Sequence, residues 1–138
     1  MGENWSTGLR KGTKMKCEIG DIVLVSNFMY PDGSDGSLHS FVVIDIENDE
    51  LDLMPFEYLC FLISSKRTKE NYPYNIPIKK DDINGLIVDS HVKCDFIYEG
   101  IRKDDILMVV GSVTPEQLDS FWDAYEAYLD EVESSEDY

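Results

Sequence analysis

The sequence predicts a mainly β domain: a small SH3-like barrel with one amphipathic helix at its C-terminal end. Three observations carry that expectation. Apolar, β-branched runs of strand length recur between turn-forming clusters from residue 19 to residue 110. A helical apolar stripe appears once, near the C-terminus. Six or seven short strands leave unpaired edges unless the sheet curls into a barrel, and a helix packed on it is the economical cover. With 138 residues, 43% hydrophobic and 29% charged, the chain has the composition of one globular domain and not of a disordered or fibrous protein.

Residues 1–16 carry Arg10, Lys11, Lys14 and Lys16 against a single Glu3 and read as a flexible basic arm. The domain is expected over 17–132. Ile19 to Phe28 (I-G-D-I-V-L-V-S-N-F) reads as a strand. Tyr30 to Ser37 is turn chemistry throughout, and its length predicts a mobile flap. Phe41 to Ile46 is a second strand; Leu51 to Met54 and Phe56 to Ser64 continue the β pattern, with Pro55 at a bend. Ser65 to Tyr74 is a polar, basic loop, and Asn75 to Ile78 a short strand. Asn84-Gly85 is the strongest short turn signal in the chain. His91 to Ile97 alternates with period two, placing Val92, Cys94 and Phe96 on one face, and Ile106 to Val110 is the last strand.

Thr114-Pro115-Glu116-Gln117 is a helix start: a capping threonine, proline at the first helical position, and glutamine three residues after the cap. Leu118, Phe121, Trp122, Tyr125, Tyr128, Leu129 and Val132 then follow at helical spacing, a stripe best read as core packing over a helix at 114–132. Residues 133–138 read as an acidic tail.

Charge excludes the simplest nucleic-acid reading. Twelve Lys and Arg against 28 Asp and Glu leave a net charge of −16, which repels phosphate backbones and anionic membranes. No apolar run approaches the roughly 18 residues of a membrane span, and the N-terminus has no apolar h-region; both point to a cytoplasmic protein. Cys17, Cys60 and Cys94 are far apart, with no CxxC and no histidine at ligand spacing, so no metal site and no cofactor is expected, and the thiols read as reduced. No glycine-rich phosphate loop, HExxH, EF-hand or nucleophile elbow is present.

What remains is local. His39, between the Gly/Ser loop and a strand, can titrate near neutral pH and move a proton, although an exposed loop histidine is the ordinary alternative. His91 opens a strand and reads as structural or surface. Ser64 and Ser65 end an apolar strand, where hydroxyls can donate to a phosphate oxygen, and Lys66, Arg67 and Lys69 follow with positive charge. Tyr72 and Tyr74 offer aromatic faces for base stacking. Within so acidic a chain, 65–80 is the one interior segment able to attract RNA.

The order of these segments carries a resemblance. I-G-D-I-V-L-V (19–25), a Gly-rich loop, F-V-V-I (41–44), L-I-S-S (62–65), Y-P-Y (72–74), G-L-I-V-D-S-H-V-K (85–93) and V-G-S-V-T-P-E-Q-L (110–118) resemble, in sequence order, the MazF/PemK family, toxins of type II toxin–antitoxin systems. The resemblance spans about 17–130 and implies a divergent member. It implies a homodimeric SH3-like barrel acting as an mRNA interferase, an endoribonuclease that cleaves single-stranded RNA through the RNA's own 2′-hydroxyl without a metal, neutralised by a cognate antitoxin. Carried across, the strand-end hydroxyl of the family falls on Ser64. The essential arginine falls on His39-Ser40, a departure that removes a permanently charged bidentate phosphate donor. The resulting expectation is His39 and Ser64 as catalytic residues, with Asn27, Ser65, Lys66, Arg67, Lys69 and Tyr72 binding substrate. The other class of function is a catalytically inactive barrel of the same family that binds or regulates a protein partner.

Overall fold

The computed structural model describes residues 17–47, 57–66 and 72–136. The basic arm, the Leu51–Met54 strand, Arg67, Lys69 and the last two residues lie outside them. Six strands, β1 (Asp21–Met29), β2 (Asp35–Glu47), β3 (Glu57–Ser64), β4 (Asn75–Ile78), β5 (Ser90–Arg102) and β6 (Ile106–Ser112), precede the helix α1 (Pro115–Glu136), with a 3-10 turn at Lys103–Asp105. The strands form one sheet in the order β4-β5-β3-β2-β1-β6, every described pairing antiparallel.

Strand alternation divides the core. Val23, Val25, Phe41, Cys60 and Leu62 pack on one face with Tyr98 and Ile101. Ile22, Val42, Phe61, Ile63 and Val92 pack on the other, where α1 covers them with Phe121 and Ala124. Register irregularities in the β1–β6, β2–β3 and β3–β5 ladders bend the sheet. No ladder joins β4 to β6. The segment between β4 and β5 does that work: Ser112 N donates to the Ile83 carbonyl at 3.1 Å. Asn84, buried in that segment, accepts from Asp81 N (3.1 Å) and Leu86 N (3.0 Å) and donates to Lys79 O (2.8 Å). Gly85 follows with φ +69° against the Val110 carbonyl, a place only glycine fits. The Asn-Gly signal thus marks a turn that seals the sheet's edge and not a two-residue hairpin.

Three expectations change. The first hairpin turn is tight: Tyr30 N donates to Ser34 O at 2.8 Å, and Asp32 Oδ1 accepts from Ser34 N at 2.9 Å. β2 therefore begins at Asp35, the flap is absent, and His39 lies inside a strand. β5 runs on to Arg102, and its shifts against β3 turn Phe96 out to 39% exposure while Val92 and Cys94 stay buried. The helix continues through Glu133 to Glu136 where an acidic tail was expected. Its start is as expected: Thr114 Oγ1 accepts from Gln117 N (3.1 Å) and Gln117 Oε1 accepts from Thr114 N (2.9 Å).

Two substitutions measure these devices in urea unfolding. Thr114→Ala lowers stability by about 1 kcal/mol, or about 4 °C in Tm, through the lost cap. Gly85→Ala drives a Cβ into the Val110 backbone, which no rotamer change relieves, and lowers it by about 2 kcal/mol or more.

Candidate functional site

Ser64 sits at the end of β3, buried, and its Oγ accepts from Lys66 N at 3.2 Å, which turns the chain out into the basic loop. The β2–β3 ladder pairs Ser40 with Ile63 and Phe41 with Leu62. One step further in the same register sets His39 against Ser64. Directly opposed residues of an antiparallel pair share a face, so both project from the Phe41/Leu62 face. The His39 ring confirms its side: it meets Phe28 and Phe41 edge-on, with centroids 6.1 and 6.2 Å away. On the other flank of β3, Ser64 pairs with His91 and Leu62 with Lys93.

The electrostatics follow from this placement. His39 is half-buried, and its pKa is held below the ordinary imidazole value, first by desolvation and further by the Lys66 and Lys93 ammoniums; the backbone at Ser40 and Ile63 pulls the other way. The ring is therefore neutral at physiological pH and able to accept a proton. Positive charge thus collects at this corner of an acidic molecule. The cysteines take no part in such chemistry: all three are buried and none forms a disulfide, and burial pushes Cys17 up to about 11 and raises Cys60 and Cys94 as well, so none offers a thiolate.

The other expected residues divide. Asn27 lies two residues beyond Val25 on the same face and lines a cleft of about 680 Å³. That cleft carries Phe28, Tyr30, Phe96 and Tyr98 together with the carboxylates of Asp35, Glu99 and Asp105. Ser65 and His39 border a second cleft of about 430 Å³ whose wall includes Leu38, Ile87, Val88 and Met108. Lys66 is exposed. Tyr72 donates its hydroxyl to Asp95 Oδ2 at 2.9 Å, and its pKa is pushed up to about 12 by burial and by that carboxylate. Tyr74 is no free stacking platform: it is buried, edge-on to Tyr128 of α1, with its hydroxyl on Glu131 at 2.6 Å. The reading of the sequence missed Lys93. Period-two alternation carried the signal, since Val92 and Cys94 facing one way place His91 and Lys93 on the other.

Among the described residues, no cluster of three or more His, Cys, Asp or Glu can hold a metal ion, and no helix is long and apolar enough to cross a membrane. A scan against protein-family models finds no match, and no curated protein matches the sequence. Solved structures do match. An endoribonuclease in complex with its cognate antitoxin, from a mycobacterial species, aligns over 80% of this chain and 92% of its own at 16% identity and TM-score 0.56. The Mycobacterium tuberculosis toxin MazF-mt6 aligns over 80% and 96% at 18% identity and TM-score 0.56. A further mycobacterial endoribonuclease aligns over 83% and 91% at 15% identity and TM-score 0.57. The mainly β fold expected from the sequence is found, a six-stranded antiparallel sheet with one C-terminal helix, and it matches the fold of the toxin MazF-mt6 and of the two endoribonucleases.

NMR titration of the imidazoles checks the site's field. His39 titrates below the ordinary value of about 6.5. Lys93→Gln moves it upward, because removing a nearby positive charge favours the imidazolium.

Proposed function

We propose that this chain is a divergent member of the MazF/PemK family and a toxin-like endoribonuclease, an mRNA interferase that cleaves single-stranded RNA by attack of the RNA's own 2′-hydroxyl. The observation that supports this best is the adjacency of His39 and Ser64 at neighbouring register positions on one sheet face, with the Lys66 and Lys93 charges close enough to act on the imidazole. In this reading the neutral His39 takes the proton of the 2′-hydroxyl. The Ser64 oxygen already accepts from Lys66 N, which leaves its O–H to donate to a non-bridging oxygen of the scissile phosphate. Lys66 and Lys93, with Arg67 and Lys69 of the basic loop, hold the RNA backbone, while Asn27, Ser65 and Tyr72 contact the strand around it. No metal is called for, since the nucleophile is intramolecular and the phosphate charge meets ammonium groups.

The partners follow from the same reading. A cognate antitoxin neutralises the enzyme in the cytoplasm, and its basic segments suit the acidic, aromatic cleft at Asn27. A homodimer is proposed on the exposed apolar side chains of Leu38, Ile87, Val88 and Met108, which a second copy would cover. A second reading, an inactive barrel that binds a protein partner, draws on that acidic cleft and on the histidine standing where the family carries arginine.

A cleavage assay decides between them. Purified protein in EDTA at low salt cuts a long single-stranded RNA to 5′-hydroxyl and 2′,3′-cyclic phosphate ends, and Ser64→Ala slows it by about 10²–10³ through loss of one preorganised donor. His39→Ala slows it by a comparable or greater factor. Intact RNA, together with a co-purifying protein partner, would establish the binding-module reading instead.

A further inference from the structure

We propose that His91 is the second proton-transfer residue of this site, acting across Ser64 from His39 to protonate the 5′-oxygen leaving group of the scissile phosphodiester. The inference rests on the endoribonuclease reading above and adds to it a residue that neither motif nor resemblance pointed to. Its basis is a row of residues. His91 pairs with Ser64 on β3 and with Pro77 on β4, and the β2–β3 register brings His39 to the other side of Ser64. Three adjacent strands therefore present imidazole, hydroxyl and imidazole side by side on one face. Two strand spacings put the histidine Cα atoms about 10 Å apart, so side chains leaning inward bracket a phosphate held at Ser64.

Unsatisfied polar atoms mark the same place. Among the described residues, the buried side-chain polar atoms without a hydrogen-bond partner are His39 Nδ1, His91 Nε2 and Asn75 Oδ1. The two imidazoles lie in the Ser64 row, and Asn75 lies in the next row on that face, paired with Lys93, which in turn faces Leu62. An orphaned buried polar atom typically costs about 1–3 kcal/mol, so native structures keep few of them and concentrate them where function requires. Both residues are partly exposed, so each ring stands at the surface of the row although one of its nitrogens is buried.

The chemistry then balances. Neutral His39 removes the 2′-hydroxyl proton as the 2′-oxygen forms its bond to phosphorus. The bond from phosphorus to the 5′-oxygen breaks, and that oxygen leaves with a proton from the His91 imidazolium. The products are a 2′,3′-cyclic phosphate and a 5′-hydroxyl, and the two rings return to their starting states through exchange with water. Ser64 and the Lys93 ammonium face the non-bridging oxygens throughout. Two opposed imidazoles supply acid and base from separate groups, which fits a site where a histidine replaces the arginine of the family pattern.

Leaving-group chemistry tests the assignment. The cleaved bond is first mapped with wild-type protein on ordinary RNA, and the same RNA is then made with sulfur in place of the 5′-bridging oxygen at that bond. A thiolate departs without protonation. His91→Ala is expected to slow cleavage of ordinary RNA by about 10²–10⁴, yet to cleave the sulfur-bridged RNA within about tenfold of wild type, whereas His39→Ala stays slow on both. His91→Gln, which keeps a polar side chain in the row, is expected to give the same pattern with a wild-type melting temperature. A loss smaller than tenfold on ordinary RNA, or an equal loss on both substrates, overturns the role of His91 and leaves the endoribonuclease reading standing. Wild-type protein that cuts neither RNA overturns that reading and this one with it.

Discussion

The register of β3 between β2 and β5 is the constraint from which the rest follows. β3 is buried on both faces: Phe61 and Ile63 lie under the helix, while Cys60 and Leu62 lie in the opposite core. Because side chains alternate with period two, a slip of one residue would exchange the two faces and drive Phe61 out from beneath α1. Burial of one such aromatic side chain is worth about 1.5–3 kcal/mol, so several together fix the pairing. Ser64 stands where this cover ends. Its neighbours are therefore set by packing elsewhere in the strand, and a site built on three paired strands is held more rigidly than one assembled from loops.

Electrostatics separates the molecule into regions of opposite character. The net charge of −16 includes a C-terminal stretch, 114–138, that has nine carboxylates and no Lys or Arg. Lys66 and Lys93 act in the opposite sense at His39. At physiological salt the Debye length is about 8 Å, so a polyanion near the Ser64 row experiences chiefly its local ammonium groups, whereas the acidic body weakens the approach from farther away. The cleft at Asn27 lies beside His39 on the same face, sharing Phe28 with it, and has aromatic walls and carboxylates suited to cationic groups.

Strands, turns and the helix were legible because each rests on nearby residues. The Thr114–Gln117 cap and the β-branched runs of 22–25 and 41–44 behave as local chemistry dictates. Where the reading failed, the deciding contacts were distant. The Tyr30–Ser37 segment looked long enough for a flap, but Asp32 and Ser34 tighten it and the strand pairing of Asp35 to Ser37 with β1 consumes the remainder. Phe96 looked like a core residue by alternation, but the shifts of β5 against β3 turn it outward. Tyr74 looked available to a base, but Tyr128 and Glu131, more than fifty residues away, hold it against α1.

The sequence by itself determined which segments extend, where the helix starts, the acidity of the surface, and that His39 and Ser64 carry reactive groups in an otherwise motif-poor chain. Those properties depend on side-chain type and on spacing within a few residues. Only the tertiary structure decided that His39 and His91 flank Ser64, that Lys93 joins them, and that Asn84 and Gly85 seal the edge beside β6. The physical reason is pairing between strands far apart in the chain: residue identity sets the face on which a side chain stands, and ladder register alone decides which side chain stands beside it.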